Sequence, residues 1–138
     1  MIAIDTNVIL YAIDRRDLRK RAAARALLRQ LAAPPPKAVL LWQVAGELAK
    51  QLRAWRDAKR ISSRAFEQYL EVFRRLFPLA MPIPPVLDRA ILLADRHSLS
   101  HWDSMIVAAC IEAGIDQLYT EDMGSPRQLD SVQLINPF

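Results

Sequence analysis

Residues 1–7 read Met-Ile-Ala-Ile-Asp-Thr-Asn, an apolar run followed at once by three polar side chains. The run Met1–Ile4 predicts a short buried strand that ends at Asp5. In open α/β sheets, ligands bind just beyond the carboxyl ends of the strands. We therefore expect Asp5 to lie at a functional edge of a sheet, although an Asp in this place also commonly caps a following helix.

The rest of the chain alternates apolar runs with helical patterns. Further strands are predicted at Lys37–Trp42, Pro78–Ile83, Gln117–Thr120 and Val132–Ile135. Helical periodicity covers Leu18–Leu31, Gln43–Lys59, a segment from Ser62 or Ser63 to Phe77, a segment after Pro84, and Ser100–Ala113. Strands separated by helices predict an α/β fold with a mainly parallel sheet and right-handed crossovers. The two helices within residues 43–77 are typical of an added helical hairpin.

Length and composition exclude several classes of protein. A chain of 138 residues fits one domain spanning residues 1–138. Its apolar runs are too short for a bilayer span, and its first residues lack the basic region of a signal peptide. One cysteine, Cys110, excludes an internal disulfide and suits the cytoplasm. Three glycines leave no phosphate-binding loop.

The net charge of +4 conceals two regions of opposite sign. Between Arg15 and Arg64 there are 14 cations and three acids, whereas His97–Pro126 holds five acids and no Lys or Arg. The basic half is consistent with a polyanion partner, and the uncompensated acidic stretch with a bound cation or a protonated carboxyl group. Composition alone favours the structural alternative of two solvated helices and ordinary surface acids.

Four acids follow predicted strands or begin the helices next to them: Asp5, Glu47, Asp103 and Asp122. In a parallel sheet they would meet at one edge, where their repulsion would be relieved by protonation or by a cation, and oxygen ligands suit Mg²⁺ or Mn²⁺. Each acid also has a structural interpretation. Glu47 could pair with Lys50, Ser100 and Asp103 form a capping-box pattern, and Asp122 suits a turn.

The motifs as a set resemble the PIN-domain family. They are Met1 to Leu10 with Asp5-Thr-Asn, Glu47 in a helix, Leu99-Ser-His-Trp-Asp103, Leu118-Tyr-Thr-Glu-Asp122 and the closing Leu134-Ile-Asn-Pro-Phe138. The sequence is most similar to VapC-type toxins of bacterial toxin–antitoxin modules. The resemblance implies a three-layer α/β/α fold with a central mainly parallel sheet.

The resemblance also implies an activity, a Mg²⁺- or Mn²⁺-dependent endoribonuclease that cuts RNA such as tRNA or rRNA. Its acidic quartet would be Asp5, Glu47, Asp103 and Asp122. Of these, Asp5, Asp103 and Asp122 would hold the metal, with Thr6, Asn7 and Thr120 in supporting positions. Glu121 adds a fifth acid beside Asp122, and the sequence leaves open which of the two faces the metal. The implied partners are a cognate antitoxin and a second copy of the chain in a homodimer.

Phosphodiester hydrolysis agrees with an acidic metal site, because a divalent ion lowers the pKa of bound water and screens developing charge. We expect one set of cations to hold the RNA backbone: Arg21, Arg25, Arg29, Lys50, Arg53, Arg56 and Arg60. The alternatives are a catalytically inactive PIN-like module that binds RNA or antitoxin, and a HAD-like phosphatase. A HAD-like enzyme needs an Asp at position 7, where Asn7 stands.

The helical hairpin supplies one further hypothesis. Its apolar stripe, formed by Leu48, Leu52, Phe66 and Phe73, would serve a dimer or antitoxin contact in addition to the core, or the core alone.

Overall fold

The computed structural model describes residues 1–138 in full. Its strands are β1 (Ile2–Ile4), β2 (Ala38–Leu41), β3 (Leu79–Ala80), β4 (Gln117–Tyr119), β5 (Arg127–Leu129) and β6 (Val132–Ile135). Its helices are α1 (Thr6–Tyr11), α2 (Leu18–Ala32), α3 (Trp42–Asp57), α4 (Ser63–Leu76), α5 (Pro85–His97) and α6 (His101–Glu112). None of these helices is long and apolar enough to cross a membrane.

One six-stranded sheet organises the fold, in the order β3-β2-β1-β4-β6-β5. Every neighbouring pair is parallel except β5 and β6, which run antiparallel. Helices α1 to α4 form one connected set of contacts, and α5 packs on α6. This confirms the predicted three-layer α/β/α arrangement with a mainly parallel sheet, and α3 with α4 forms the added helical hairpin.

Helix starts follow the polar residues that the sequence places before them. The side chain of Asp17 accepts the Lys20 N–H at the start of α2, and Ser62 accepts the Ala65 N–H at the start of α4. Such caps satisfy amide groups that the first helical turn leaves without partners. The predicted limits of these helices therefore agree with the structure to within one or two residues.

Two elements are absent from the sequence-based prediction. Helix α1 begins directly after β1. The β-branched residues at its start and the apolar run that follows show no helical periodicity, so the sequence pattern does not predict it. Strand β5 is short and polar, and it exists because it pairs with β6 through a tight turn. Strand β3 is also shorter than predicted, because Pro78 and Pro82 flank it and cannot donate to the ladder.

The core contains most of the apolar stripe of the hairpin. Leu48, Leu52 and Phe73 are buried within the chain, and Phe66 is half-buried against Arg56. Three of the four residues of the stripe therefore serve the core, and a docking role for the stripe is left to the half-buried Phe66. Cys110 is also buried, and burial raises the pKa of its thiol to about 12, which makes it a packing residue.

Candidate active site

Strands β1 and β4 lie side by side and bring together residues that are far apart in the sequence. Ile4 is in register with Tyr119, and the Asp5 N–H donates to the Tyr119 carbonyl oxygen at 2.9 Å. The residues that follow these strands, Asp5 and Thr120, therefore meet at the carboxyl edge of the sheet. This is the edge at which the sequence predicts a site.

Asp5 both caps α1 and occupies the centre of this edge. Its Oδ1 accepts the Thr6 N–H at 2.7 Å, and its Oδ2 accepts the Thr120 hydroxyl at 2.8 Å. Only 6% of the residue is exposed. Burial raises the pKa of Asp5 to about 6; the bonds from Thr120 and Thr6 oppose the shift, and the charges of Glu47 and Asp122 add to it.

Asn7 joins Asp5 to Asp122. Its amide nitrogen donates to Oδ2 of Asp122 at 2.8 Å and lies 3.3 Å from the Thr120 hydroxyl and 3.4 Å from Oδ2 of Asp5. The Thr120 hydroxyl also accepts the Asp122 N–H at 3.1 Å. Asp122 is thus held toward Asp5 by both its side chain and its backbone.

Glu47 is tied to the same edge from α3. Its Oε2 accepts the Thr6 hydroxyl at 2.9 Å, and its Oε1 accepts the amide of Gln43 at 2.8 Å. The alternative pairing of Glu47 with Lys50 is absent. Gln43 was not predicted as a site residue. Its position one turn before Glu47 on the same helix could have predicted the contact between the two side chains.

Asp103 is not part of the hydrogen-bond network that joins the other three acids. It lies in the first turn of α6, where its N–H donates to the Ser100 hydroxyl at 3.2 Å, and its carboxylate makes no hydrogen bond within the chain. The structural tie runs through Gln43, which donates to the Trp102 carbonyl oxygen at 3.1 Å as well as to Glu47. Hydrogen bonds therefore connect Asp5, Glu47 and Asp122, and they leave the Asp103 carboxylate free.

Glu121 and Asp122 contact different parts of the molecule. Glu121 accepts the Tyr11 hydroxyl at 2.7 Å and pairs with Lys20 at 2.7 Å. Partial burial alone would raise the pKa of Glu121, but the bonds from Lys20 and Tyr11 bring it below its ordinary value. Asp122 is the acid of this pair that is connected to Asp5.

The predicted RNA-binding cations differ in how far other residues of the chain engage them. Arg25 is structural, because its Nε donates to the Ala12 carbonyl oxygen at 2.8 Å. Arg56 and Arg60 stack on Phe66 and Trp55, and each also pairs with an acid. Arg21 is half-buried, and the exposed members without ion pairs are Arg29, Lys50 and Arg53.

The donor set fits a hydrated divalent cation. No three carboxylate, imidazole or thiol groups converge into a closed metal cage. Mg²⁺ does not require one, because it usually keeps several waters and binds through one or two carboxylates. The Oδ1 of Asn7 is buried beside Asp5 and Asp122 without a hydrogen-bond partner. An unsatisfied acceptor among negative charges suits a cation or the water bound to it.

Comparison with known proteins identifies the family of the chain. Residues 2–128 match the family model of the PIN domain. No curated protein sequence matches the chain.

Three solved structures share the fold. A toxin–antitoxin complex from Klebsiella pneumoniae aligns at TM-score 0.72 and 16% identity, covering 100% of this chain and 98% of the other. VapBC2 from Rickettsia felis, bound to a promoter DNA fragment, gives 0.70 and 16%, covering 97% of each chain. VapC20 from Mycobacterium tuberculosis, a sarcin–ricin loop cleaving toxin, gives 0.70 and 20%, covering 96% and 99%. Because the family model spans nearly the whole sequence, this chain belongs to the PIN domain family.

Proposed function

We propose that this chain is a Mg²⁺- or Mn²⁺-dependent endoribonuclease of the VapC type, the toxin of a toxin–antitoxin pair. The observation that carries the proposal is the hydrogen-bonded chain from Glu47 through Thr6 and Asp5 to Asp122. Because the chain belongs to the PIN domain family, the HAD-like phosphatase alternative is no longer supported. The site lies at the carboxyl edge of β1 and β4, where α/β folds bind their ligands.

The acids take separate roles in this proposal. Asp5, Asp103 and Asp122 would hold the cation, Asp103 because its carboxylate makes no bond within the chain. A bound divalent ion supplies an acidified water and screens the charge that develops on the phosphate. Glu47 would orient the attacking water and accept its proton, because Gln43 and Thr6 fix its two carboxylate oxygens and leave further lone pairs open.

The RNA backbone would lie on the exposed cations of α2 and α3. Arg29, Lys50 and Arg53 are exposed, and Lys50 lines the same cleft as Glu47. Arg21, Arg56 and Arg60 would contribute at its margin. Arg25 would contribute less to this surface, because its Nε is held by the Ala12 carbonyl oxygen at the end of α1. Structured RNA is the substrate class that we infer, as with the sarcin–ricin loop cleaved by the fold neighbour VapC20.

Protein partners have apolar surface available beside the acids. A cleft of about 720 Å³ extends from Glu47, and the indoles of Trp42 and Trp102 at its edge are 53% and 62% exposed. Exposed apolar patches of this kind mark interaction sites. Fold neighbours were solved as toxin–antitoxin complexes. We infer a cognate antitoxin and a homodimer as the assemblies, both in the cytoplasm where RNA is found.

The activity is tested with purified protein, a structured RNA and Mg²⁺ or Mn²⁺. We expect cleavage that EDTA abolishes and that Asp5→Asn lowers by at least about 100-fold, since Asp5 is the central acid. Asp95→Asn is the matched control, because Asp95 is exposed on α5 and makes no contact with the site. RNA binding without cleavage in the wild type would support the inactive-module alternative. Equal cleavage by Asp5→Asn and the wild type would refute the proposed site.

The partners are tested by light scattering of the protein alone and with the protein encoded beside its gene. A dimer alone and a larger complex with the neighbour would support the proposed assemblies. A monomer at every concentration, with no complex, would refute them.

A further inference from the structure

Helix α1 contacts the segment that follows β4 at two points along one face. Asn7 and Tyr11 are four residues apart, so they lie one above the other on the helix. Asn7 donates to Asp122, and Tyr11 donates to Oε1 of Glu121 at 2.7 Å. The two neighbouring acids are therefore held by the same helix at successive turns.

Lys20 of α2 closes the second contact. Its ammonium pairs with Oε2 of Glu121 at 2.7 Å and lies 3.3 Å from the Tyr11 hydroxyl. It also lies 4.6 Å from the centre of the Tyr11 ring and 5.4 Å from that of Phe138, which packs edge-on against Tyr11 at 5.1 Å. Side chains from α1 and α2 thus contact the Glu121 carboxylate, and Phe138 packs against both of them.

This arrangement occupies both oxygens of Glu121. The side chains of Lys20 and Glu121 are only 23% and 22% exposed, so the ion pair is screened less than a surface pair. The negative charge of a free Glu121 would by itself attract a cation, so its harm to the site is positional: it would compete with Asp122 for the ion at this edge. It would also leave the backbone between Thr120 and Asp122 without its side-chain anchor.

We propose that Lys20, together with Tyr11, is a positioning residue for the nuclease site, holding Glu121 aside so that Asp122 alone is presented to the cation. The inference rests on the proposed function. Lys20 acts through Glu121 and not on the RNA, because its ammonium group already contacts Glu121, the Tyr11 hydroxyl and two aromatic rings. Neighbours of metal-binding residues commonly set the position and affinity of the site in this way.

The test measures Mn²⁺ affinity by calorimetry and, separately, kcat and KM for RNA cleavage. We expect Lys20→Met to weaken Mn²⁺ binding and lower kcat by about 10- to 100-fold while KM changes little. Lys20→Arg keeps the charge and should recover most of the loss. Lys37→Met is the matched control, because Lys37 is exposed before β2 and should behave as the wild type.

The double variant identifies the route of the effect. If Lys20 acts through Glu121, adding Lys20→Met to Glu121→Ala should change Mn²⁺ affinity by no more than about twofold. Independent, multiplying losses would overturn the inference, as would a rise in KM at unchanged Mn²⁺ affinity, which would mark Lys20 as an RNA contact.

Two further comparisons keep the test decisive. If Lys20→Met does not fold, Lys20→Arg and Glu121→Gln replace it, because they change the size of the side chains little. The inference would be overturned if Glu121→Gln bound Mn²⁺ like the wild type while Lys20→Arg bound it more weakly. Absence of Mn²⁺ binding by the wild type would instead refute the proposed function itself. Wild-type binding with an unchanged Lys20→Met would refute the positioning role alone.

Discussion

The Asp5 carboxyl group is buried beside two other acids, and this placement has a cost in the metal-free protein. Burial, together with the charges of Glu47 and Asp122, raises the pKa of Asp5 from 3.8 to about 6. A folded-state pKa above the unfolded value means that the fold disfavours the charged form. Below about pH 4 the Asp5 carboxyl group therefore does not lower the stability of the fold. The free energy of unfolding then decreases as the pH rises through about 6 and Asp5 ionises.

Replacing Asp5 by Asn should remove this dependence. At pH 7.5 without metal, we expect Asp5→Asn to unfold at a higher urea concentration than the wild type. Its free energy of unfolding should be larger by as much as about 3 kcal/mol, which corresponds to a pKa shift of about two. Near pH 3.5 the two proteins should be equally stable. Saturating Mg²⁺ should stabilise the wild type only.

Urea titrations at both pH values, with Asp95→Asn as the control, check this expectation. A less stable Asp5→Asn protein at pH 7.5 would contradict the electrostatic cost assigned to Asp5.

The acids of the site follow from the sequence more readily than their connections do. Asp5 and Asp122 stand after apolar runs, and the rule about strand ends is enough to place them at one edge. The bond of Tyr11 to Glu121 joins residues 110 positions apart, and no local pattern announces it. The same holds for Gln43, whose amide reaches Trp102 across 59 positions.

At the scale of the elements, local chemistry predicted long helices and failed for short ones. Helices α2 to α6 show clear periodicity or polar caps. Helix α1 has six residues and exists because Asp5 caps it and because its apolar side is buried, with α2 and α3 packed against it. Strand β5 depends on its partner β6, so its own residues carry no signal. Short elements are specified by what they pack against.

The cap of α6 should matter more than the equivalent cap of α4. The hydroxyls of Ser100 and Ser62 each accept one amide of their helix, and removing either should cost about 1 kcal/mol of stability. Ser100 also fixes the first turn that bears Asp103. We expect Ser100→Ala to lower RNA cleavage, and Ser62→Ala to lower stability alone.

Thermal unfolding and cleavage rates of the two variants provide the measurement. An equal loss of activity in both would show that the cap acts only through overall stability.

Two arginines one turn apart on α2 should behave differently. Arg25→Ala leaves the Ala12 carbonyl oxygen without its donor, so we expect a loss of about 1–2 kcal/mol in stability. Arg29 is exposed, so Arg29→Ala should change stability by less than about 0.5 kcal/mol and weaken RNA binding. Denaturant unfolding and RNA titration of both variants would distinguish the roles, and similar stabilities would contradict the assignment.

At the scale of the molecule, the separation of charge predicts a binding mode. If Arg29, Lys50 and Arg53 contact three phosphates, the logarithm of the RNA binding constant should fall with the logarithm of salt concentration at a slope of about −2. Arg53→Ala should reduce the slope by about 0.7.

Titrations between low and physiological salt test this expectation. Arg75→Ala is the control, because Arg75 is exposed but pairs with Glu71 on α4. A binding constant that does not change with salt would contradict an electrostatic hold on the backbone.

The position of β1 between β2 and β4 has a consequence for synthesis on the ribosome. Asp5 is made before its hydrogen-bond partner Thr120, which follows 115 residues later. Contacts between such distant residues form late in folding. A nascent chain that has not yet reached β4 therefore carries Asp5 and Glu47 without the assembled pocket. Under the proposed function, an unfinished chain that lacks β4 therefore has no assembled nuclease site while it is still on the ribosome.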